Sequence, residues 1–317
     1  MTTRRKTLIR IAVAIFVALA LAFFAITLVN AWNATNGEIP SLPRFIAAGA
    51  LWACGLLVGA TAWATLLGGD RRVDHGAALL VSQLGKYVPG GIGQVTGQVG
   101  LARAAGVRLQ RGATVFSVLA VTQVVAGCNY GLLLAATWSH ASVFLRVLIA
   151  VGAVAVLPLI DRRWMVWALG KIPRTRDASA ELVPAQRSIL LAWLLSILTL
   201  GFASGAYLVL VAGFGPVSNP MLFIGAYAIA WTIGFIAIPI PSGVGIREAV
   251  LAFILHGTLT SSVVVAASVY YRLVAIATEG ILAAIASHRV HPRRLAAAAA
   301  ANDESLEDAG TPAEPES

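Results

Sequence analysis

Long apolar runs, each ended by a short polar or Gly/Pro-containing stretch, set the rhythm of this sequence. Continuous runs cover Leu8–Asn30, Phe45–Leu67, Ala113–Trp138, Val143–Ile160, Ser188–Gly213 and Ser262–Ala286. A hydrocarbon core of about 30 Å takes about 20 helical residues to cross, at about 1.5 Å per residue. Lipid offers the backbone no hydrogen-bond partners, so runs of this length must be helical. The pattern predicts an all-α polytopic membrane protein with about six full spans.

Two segments depart from it. The stretch "QLGKYVPGGIGQ" at Gln83–Gln94 puts a Lys, a Pro and four glycines inside an apolar neighbourhood. "PSGVG" at Pro241–Gly245 does the same after the apolar run Met221–Ile238. The piece from Gly245 to Thr260 extends about 22 Å as a helix, too short to cross. Each break opens a short helical piece, so each segment is expected to enter the membrane, turn and return to the side it came from.

Charge sets the direction of entry. Only 12% of residues are charged and 58% are hydrophobic, with mean hydropathy +0.82. Soluble domains carry roughly 25% charged residues, which excludes that class. Of the formal net charge of +9, the last fifteen residues hide part, since they hold six of the fourteen acids. The rest of the chain is +15. The positive-inside rule accounts for that excess without nucleic acid. Eighteen of the 23 Lys and Arg residues fall on one side if the N-terminus is cytoplasmic. They are the N-terminal group, Arg71–Arg72, Arg103–Arg111, Arg162–Arg187 and Arg289–Arg294. Arg44 alone falls outside. If Ala77–Leu101 crossed, every later loop would invert, so it is expected to dip in from the cytoplasm. The second segment is expected to dip in from the outer face. The result is an inverted-topology repeat: residues 1–139, residues 140–290, and an acidic cytoplasmic tail, 291–317, expected to be disordered. Both termini are expected in the cytoplasm, with the first run kept as a mature helix rather than a signal peptide. Arg146 is expected to snorkel. Trp164 and Trp167 are expected to anchor at the interface, and Cys54 and Cys128 to act as small apolar fillers.

The candidate chemistry is sparse. His75, His140, His256, His288 and His291 are scattered, so no metal is expected. Neither a phosphate-binding P-loop nor a dinucleotide fingerprint is present, and no cofactor or enzymatic activity is expected. The ionisable residues at membrane depth stand out: Lys86, Arg247, Glu248, Arg272 and Glu279. Each costs about 2.5–3.5 kcal/mol to insert and by default marks a functional path. Arg272 and Glu279 share a helix face. In the bland alternative, Arg247–Glu248 and Arg272–Glu279 merely neutralise one another across helices. In the functional reading, the helices after each Gly break aim free N–H groups at an anion. The expected substrate-binding set is Lys86, Pro89, Gly90, Gly91, Gly93, Pro241, Gly243, Gly245, Arg247, Glu248, Arg272 and Glu279. The expected ligand is a phosphate carried by a lipid, with Glu248 or Glu279 holding a cationic headgroup part or a coupling proton. Paired broken segments of this kind mark the midplane site of transporters.

"IPSGVGIREAVLAFIL" followed by "YRLVAIATEG" resembles the second signature of the lysylphosphatidylglycerol synthase transmembrane-region family. Pro241, Gly243, Gly245, Arg247, Glu248, Tyr271 and Arg272 match it. "GKYVPGGIGQ" resembles the first signature, with Gln94 where a Glu is common. A Glu-Arg pair frequent in the next helix is replaced by "VTQVV" at Val121–Val125. The resemblance spans about Leu8–Ala286. It implies an inner-membrane flippase-like domain acting on a membrane lipid, a phospholipid or aminoacyl-phospholipid. A polyprenyl-phosphate-linked sugar is the alternative cargo, and proton-coupled transport of a small anion the alternative activity. The synthase domain is expected to be lacking, which makes a separate envelope lipid-modifying enzyme a candidate partner.

Overall fold

A computed structural model describes residues 29, 32–33, 37–69, 72–87, 93–172, 179–237 and 245–290. Apart from Val29, the first expected run lies outside the described residues, as does the acidic tail. The described residues form helices α1 (Leu42–Leu67), α2 (Arg72–Ser82, continued by a 3-10 turn Gln83–Tyr87), α3 (Gly93–Ala104), α4 (Leu109–Thr137) and α5 (Val143–Ala155, continued by Leu157–Ile160). Then follow α6 (Arg162–Gly170), α7 (Ser179–Leu182), α8 (Gln186–Val211), α9 (Pro220–Ile236), α10 (Ile246–Ile254) and α11 (Ser261–Ser287).

Five of these, α1, α4, α5 with its extension, α8 and α11, are long and apolar enough to cross a membrane. They coincide with five of the expected runs. α4 starts at Leu109 rather than Ala113, because Gln110 and Arg111 occupy its polar first turn. Local signals explain several boundaries. Asn219 accepts from the Leu222 N–H and Pro220 opens α9, so the missing proline N–H costs nothing. Thr260 caps α11 through the Val263 N–H, and Ser142 caps α5 through Leu145. Gly68 ends α1 at φ +72°, a left-handed conformation that favours glycine.

The centre of the molecule is the α1–α8 pair, the most extensive helix contact among the described residues. Small residues allow it: a Cβ on Gly55 would meet the Thr199 carbonyl and Phe202 Cβ, each at 3.2 Å. Close approach through glycine is the usual device in lipid, where no hydrophobic effect drives helices together. Around this pair α4 packs on α9 and α2 packs on α11, while α3 bridges α2 to α4 and α10 bridges α9 to α11. Gly127 of α4 lies directly against the Thr232 side chain of α9.

The two short pairs sit at opposite ends of α11. Asp74 and Ala78 of α2 and Ala104 of α3 line a small recess together with Arg289 and Val290, just past the end of α11. Leu255, at the end of α10, is instead six residues before α11 begins. There the Phe253 ring meets Trp138 edge-on at 5.8 Å. At the same end Asn219, before α9, donates to the Thr137 carbonyl at 3.4 Å.

α5 is peripheral: 11% of its apolar window is buried, against 39–50% in the other four long helices. Arg146 is tied down rather than simply snorkelling, since Nε donates to the Ala135 carbonyl at 2.6 Å and Nη2 to Ala136 at 3.2 Å. These are orphan carbonyls at the end of α4, and the charge suits the negative end of its dipole. Trp164 and Trp167 stack edge-on at 5.6 Å and are exposed, with Lys171 over the Trp167 ring. Cys128 is half-buried in α4 while Cys54 is exposed on the outside of α1, so only the former fills space.

Candidate functional site

The first short pair is closed by glycine. A Cβ on Gly85 would collide with the Gly93 carbonyl oxygen and lie 2.6 Å from its carbon, so the 3-10 turn touches the first residue of α3 backbone to backbone. That contact positions the next residue, Lys86, against α11. Its Nζ donates to Glu279 Oε1 at 2.6 Å. Glu279 is 1% exposed, and two more donors complete its shell. Trp52 Nε1 of α1 bonds Oε1 at 3.1 Å, and the Tyr87 hydroxyl bonds Oε2 at 2.9 Å. The Lys86 ammonium lies 5.3 Å from the Tyr87 ring centroid and 5.9 Å from that of Trp52, within cation–π reach. A buried carboxylate is tolerated when paired and fully hydrogen-bonded, and this one is.

The second short pair repeats the arrangement with charges exchanged. Gly245 precedes α10 at φ +85°, and a Cβ there would have no atom within 4 Å, so conformation rather than space favours glycine. The turn it makes brings Glu248 under its own N–H, which donates to Oε2 at 2.8 Å. Oε1 of Glu248 accepts from Arg272 Nε at 3.1 Å and from Nη2 at 2.6 Å. α11 thus supplies one member of each pair: Arg272 to the α10 side and Glu279 to the α2 side.

The bland alternative holds in part, and the anion-site reading needs one correction. Arg272 does pair with Glu248 across helices, but Glu279 takes Lys86 and Arg247 has no ion-pair partner among the described residues. Seven residues of helix separate Arg272 from Glu279, too far to bond, so each takes a partner from a different short pair. The N–H of Gly245 is also not free for a ligand, because the Glu248 carboxylate already occupies it. Lys86, Gly93, Gly245, Arg247, Glu248, Arg272 and Glu279 all fall in or beside this cluster. Pro89, Gly90, Gly91, Pro241 and Gly243 lie outside the described residues.

Arg247 is the member left over. It is half-buried, its Nε is buried, and it has no hydrogen-bond or ion-pair partner among the described residues. Lys86 lies within range of the charges of both Arg247 and Arg272. The cluster therefore holds three cations against two carboxylates and keeps one positive charge.

Aromatic rings connect its two sides. Trp52 meets Tyr271 edge-on at 6.1 Å, Tyr271 meets Tyr227 at 5.1 Å, and Tyr227 stacks on Tyr207 at 5.0 Å. Trp52, Tyr87, Tyr207 and Tyr227 were not foreseen as site residues. Their positions carried a signal: Trp and Tyr favour membrane interfaces, yet Tyr227 and Tyr271 sit in mid-helix. Among the described residues no group of His, Cys, Asp and Glu could hold a metal ion.

A polytopic helical membrane protein with buried charges shared among three elements is the class this geometry defines. The family model described as the lysylphosphatidylglycerol synthase TM region matches residues 8–283, and the chain belongs to that family. No curated protein taken singly matches it. The chain is accordingly a membrane protein of a lipid-related family, as the two glycine-containing signatures imply.

Proposed function

We propose that the protein is a lipid translocase that carries a phosphate-bearing headgroup past the charge cluster, and is not an enzyme. The observation that carries this reading is Arg247: a cation whose buried Nε has no partner among the described residues, beside two satisfied ion pairs, in a cluster of net positive charge. Holding such a charge at membrane depth without a counter-ion is costly, and a ligand anion offsets the cost. A lipid anion reaches the site with its tails still in the bilayer.

The helix contacts support an inverted repeat of two re-entrant hairpins, α2–α3 and α9–α10. Exchanging α1 with α8, α2 with α9, α3 with α10 and α4 with α11 maps the main contacts onto one another. α2 on α11 becomes α9 on α4, and α1 on α2 becomes α8 on α9. The bases of the hairpins lie at opposite ends of α11, as inversion requires. Such repeats place the ligand where broken helices meet, and rocking of one half against the other exposes it alternately. The charge bias favours both termini in the cytoplasm, and membership of the family favours the inner membrane.

The test is headgroup translocation in proteoliposomes of defined phospholipid, with Arg247→Ala and Arg272→Ala. Arg247→Ala is expected to keep the wild-type melting profile and to lose translocation; Arg272→Ala, which leaves Glu248 without its counter-ion, is expected to lose translocation together with some stability. Undiminished transport by Arg247→Ala would sink the reading. A polyprenyl-phosphate-linked sugar or a small anion offered in parallel decides the cargo.

A further inference from the structure

Beside Arg247, two further polar groups are buried and unmatched. Tyr227 of α9 is 1% exposed and Tyr271 of α11 is 4% exposed, and neither hydroxyl has a hydrogen-bond partner among the described residues. Their rings lie 5.1 Å apart at a tilt of 59°, and the two hydroxyls interact with each other without a bond of normal geometry. The Arg247 charge acts on both. Buried polar groups are nearly always bonded, and an orphaned one costs its full desolvation penalty. Two orphaned phenols and an orphaned guanidinium nitrogen at one place, drawn from three helices, are better explained by an acceptor that binds there than by three separate defects. All three groups can donate. The matching ligand is an oxyanion with several acceptor oxygens.

The nearby tyrosine behaves differently, which narrows the assignment. Tyr207 stacks on Tyr227 and lies as deep, but its hydroxyl reaches the Val264 carbonyl at 3.4 Å. It is the wall of the site, and the other two phenols are its donors. On the far side, the Glu279 shell already consumes Lys86, Tyr87 and Trp52.

We propose that Arg247, Tyr227 and Tyr271 form one oxyanion site that takes a phosphate group, with the two phenol hydroxyls bonding its oxygens directly. This rests on the translocase reading and adds two binding residues to it. The phosphate can belong to a lipid headgroup or be free in solution, and the experiment separates the two.

Purified full-length protein in a neutral detergent is titrated with inorganic phosphate and, separately, with short-chain phosphatidylglycerol, following the rise in melting temperature that binding produces. The variants are Tyr227→Phe and Tyr271→Phe, which remove one hydroxyl and keep the ring. Without ligand, each is expected to melt at or above the wild-type temperature, since an unmatched buried hydroxyl has been removed. With ligand, each is expected to bind about tenfold more weakly, as for a lost hydrogen bond to a charged group. Response to the lipid alone assigns the headgroup, and response to phosphate alone assigns a free anion; either supports the site. Wild-type affinity in both phenol variants, with binding lost in Arg247→Ala, overturns this inference and leaves the translocase reading standing. Wild-type affinity in Arg247→Ala, or no response of the wild type to either probe, overturns both.

Discussion

Lys86 and Glu279, 193 positions apart in the chain, are joined by a 2.6 Å ion pair with the carboxylate fully enclosed. One comes from the turn of α2 and the other from the middle of α11. The bond fixes the 3-10 turn after α2 on the last helix, and it is where the first prediction falls. Glu279→Gln leaves the half-buried Lys86 charge without its counter-ion and is expected to cost up to about 3 kcal/mol. Lys86→Met combined with Glu279→Gln removes both charges and is expected to recover most of that loss. Thermal unfolding of the two single variants and the double variant, read as a cycle, measures the coupling. Additive losses would show that the pair does not act as a unit.

Gly85 and Gly93 make the second prediction. A methyl group at 85 has no room against the Gly93 backbone. Gly85→Ala is therefore expected to pry the turn from α3 and displace Lys86, so translocation falls at least tenfold in the liposome assay while the long helices persist by circular dichroism.

The α1–α8 contact distinguishes two glycines four residues apart. At Gly55 a Cβ would press on the Thr199 carbonyl at 3.2 Å, whereas at Gly59 it would meet the Thr199 side chain at 3.6 Å, an ordinary contact. Gly55→Ala is expected to lose about 1–3 kcal/mol and Gly59→Ala little or nothing. Melting temperatures of the two variants in the same detergent check the contrast.

The proposed inverted repeat makes a labelling prediction. In a background of Cys54→Ser and Cys128→Ala, Gln110→Cys reports the base of the first hairpin and His256→Cys that of the second. A membrane-impermeant maleimide is expected to reach His256→Cys from outside intact cells and Gln110→Cys only after permeabilisation. Labelling of both from one side would rule out the inverted arrangement.

Much of this fold was legible because the bilayer imposes a length rule. Five runs of apolar residues became five helices, with boundaries set by caps such as Asn219 and Thr260 that are visible in the sequence. The interruptions of helix were legible for a similar reason: among the described residues, helical structure stops at Tyr87 and Ile236 and resumes at Gly93 and Ile246, on either side of the two Gly/Pro stretches. Partner choice was not legible. Spacing put Arg272 and Glu279 on one face too far apart to touch, and only the placing of the α2 turn and α10 against α11 assigns each its counter-ion. The phenols were hidden for another reason: a buried tyrosine in a membrane helix reads as packing until its hydroxyl is found without a partner.

α11 is clipped at two points, Arg272 to α10 and Glu279 to the turn of α2, seven residues or about 10 Å apart along its axis. The clips are attached from opposite ends of the molecule. Sliding α11 by a single turn in either direction would draw both side chains off their partners at once. The helix thus ties α10 and the turn after α2 to one element, so that a shift of α11 strains both ion pairs together.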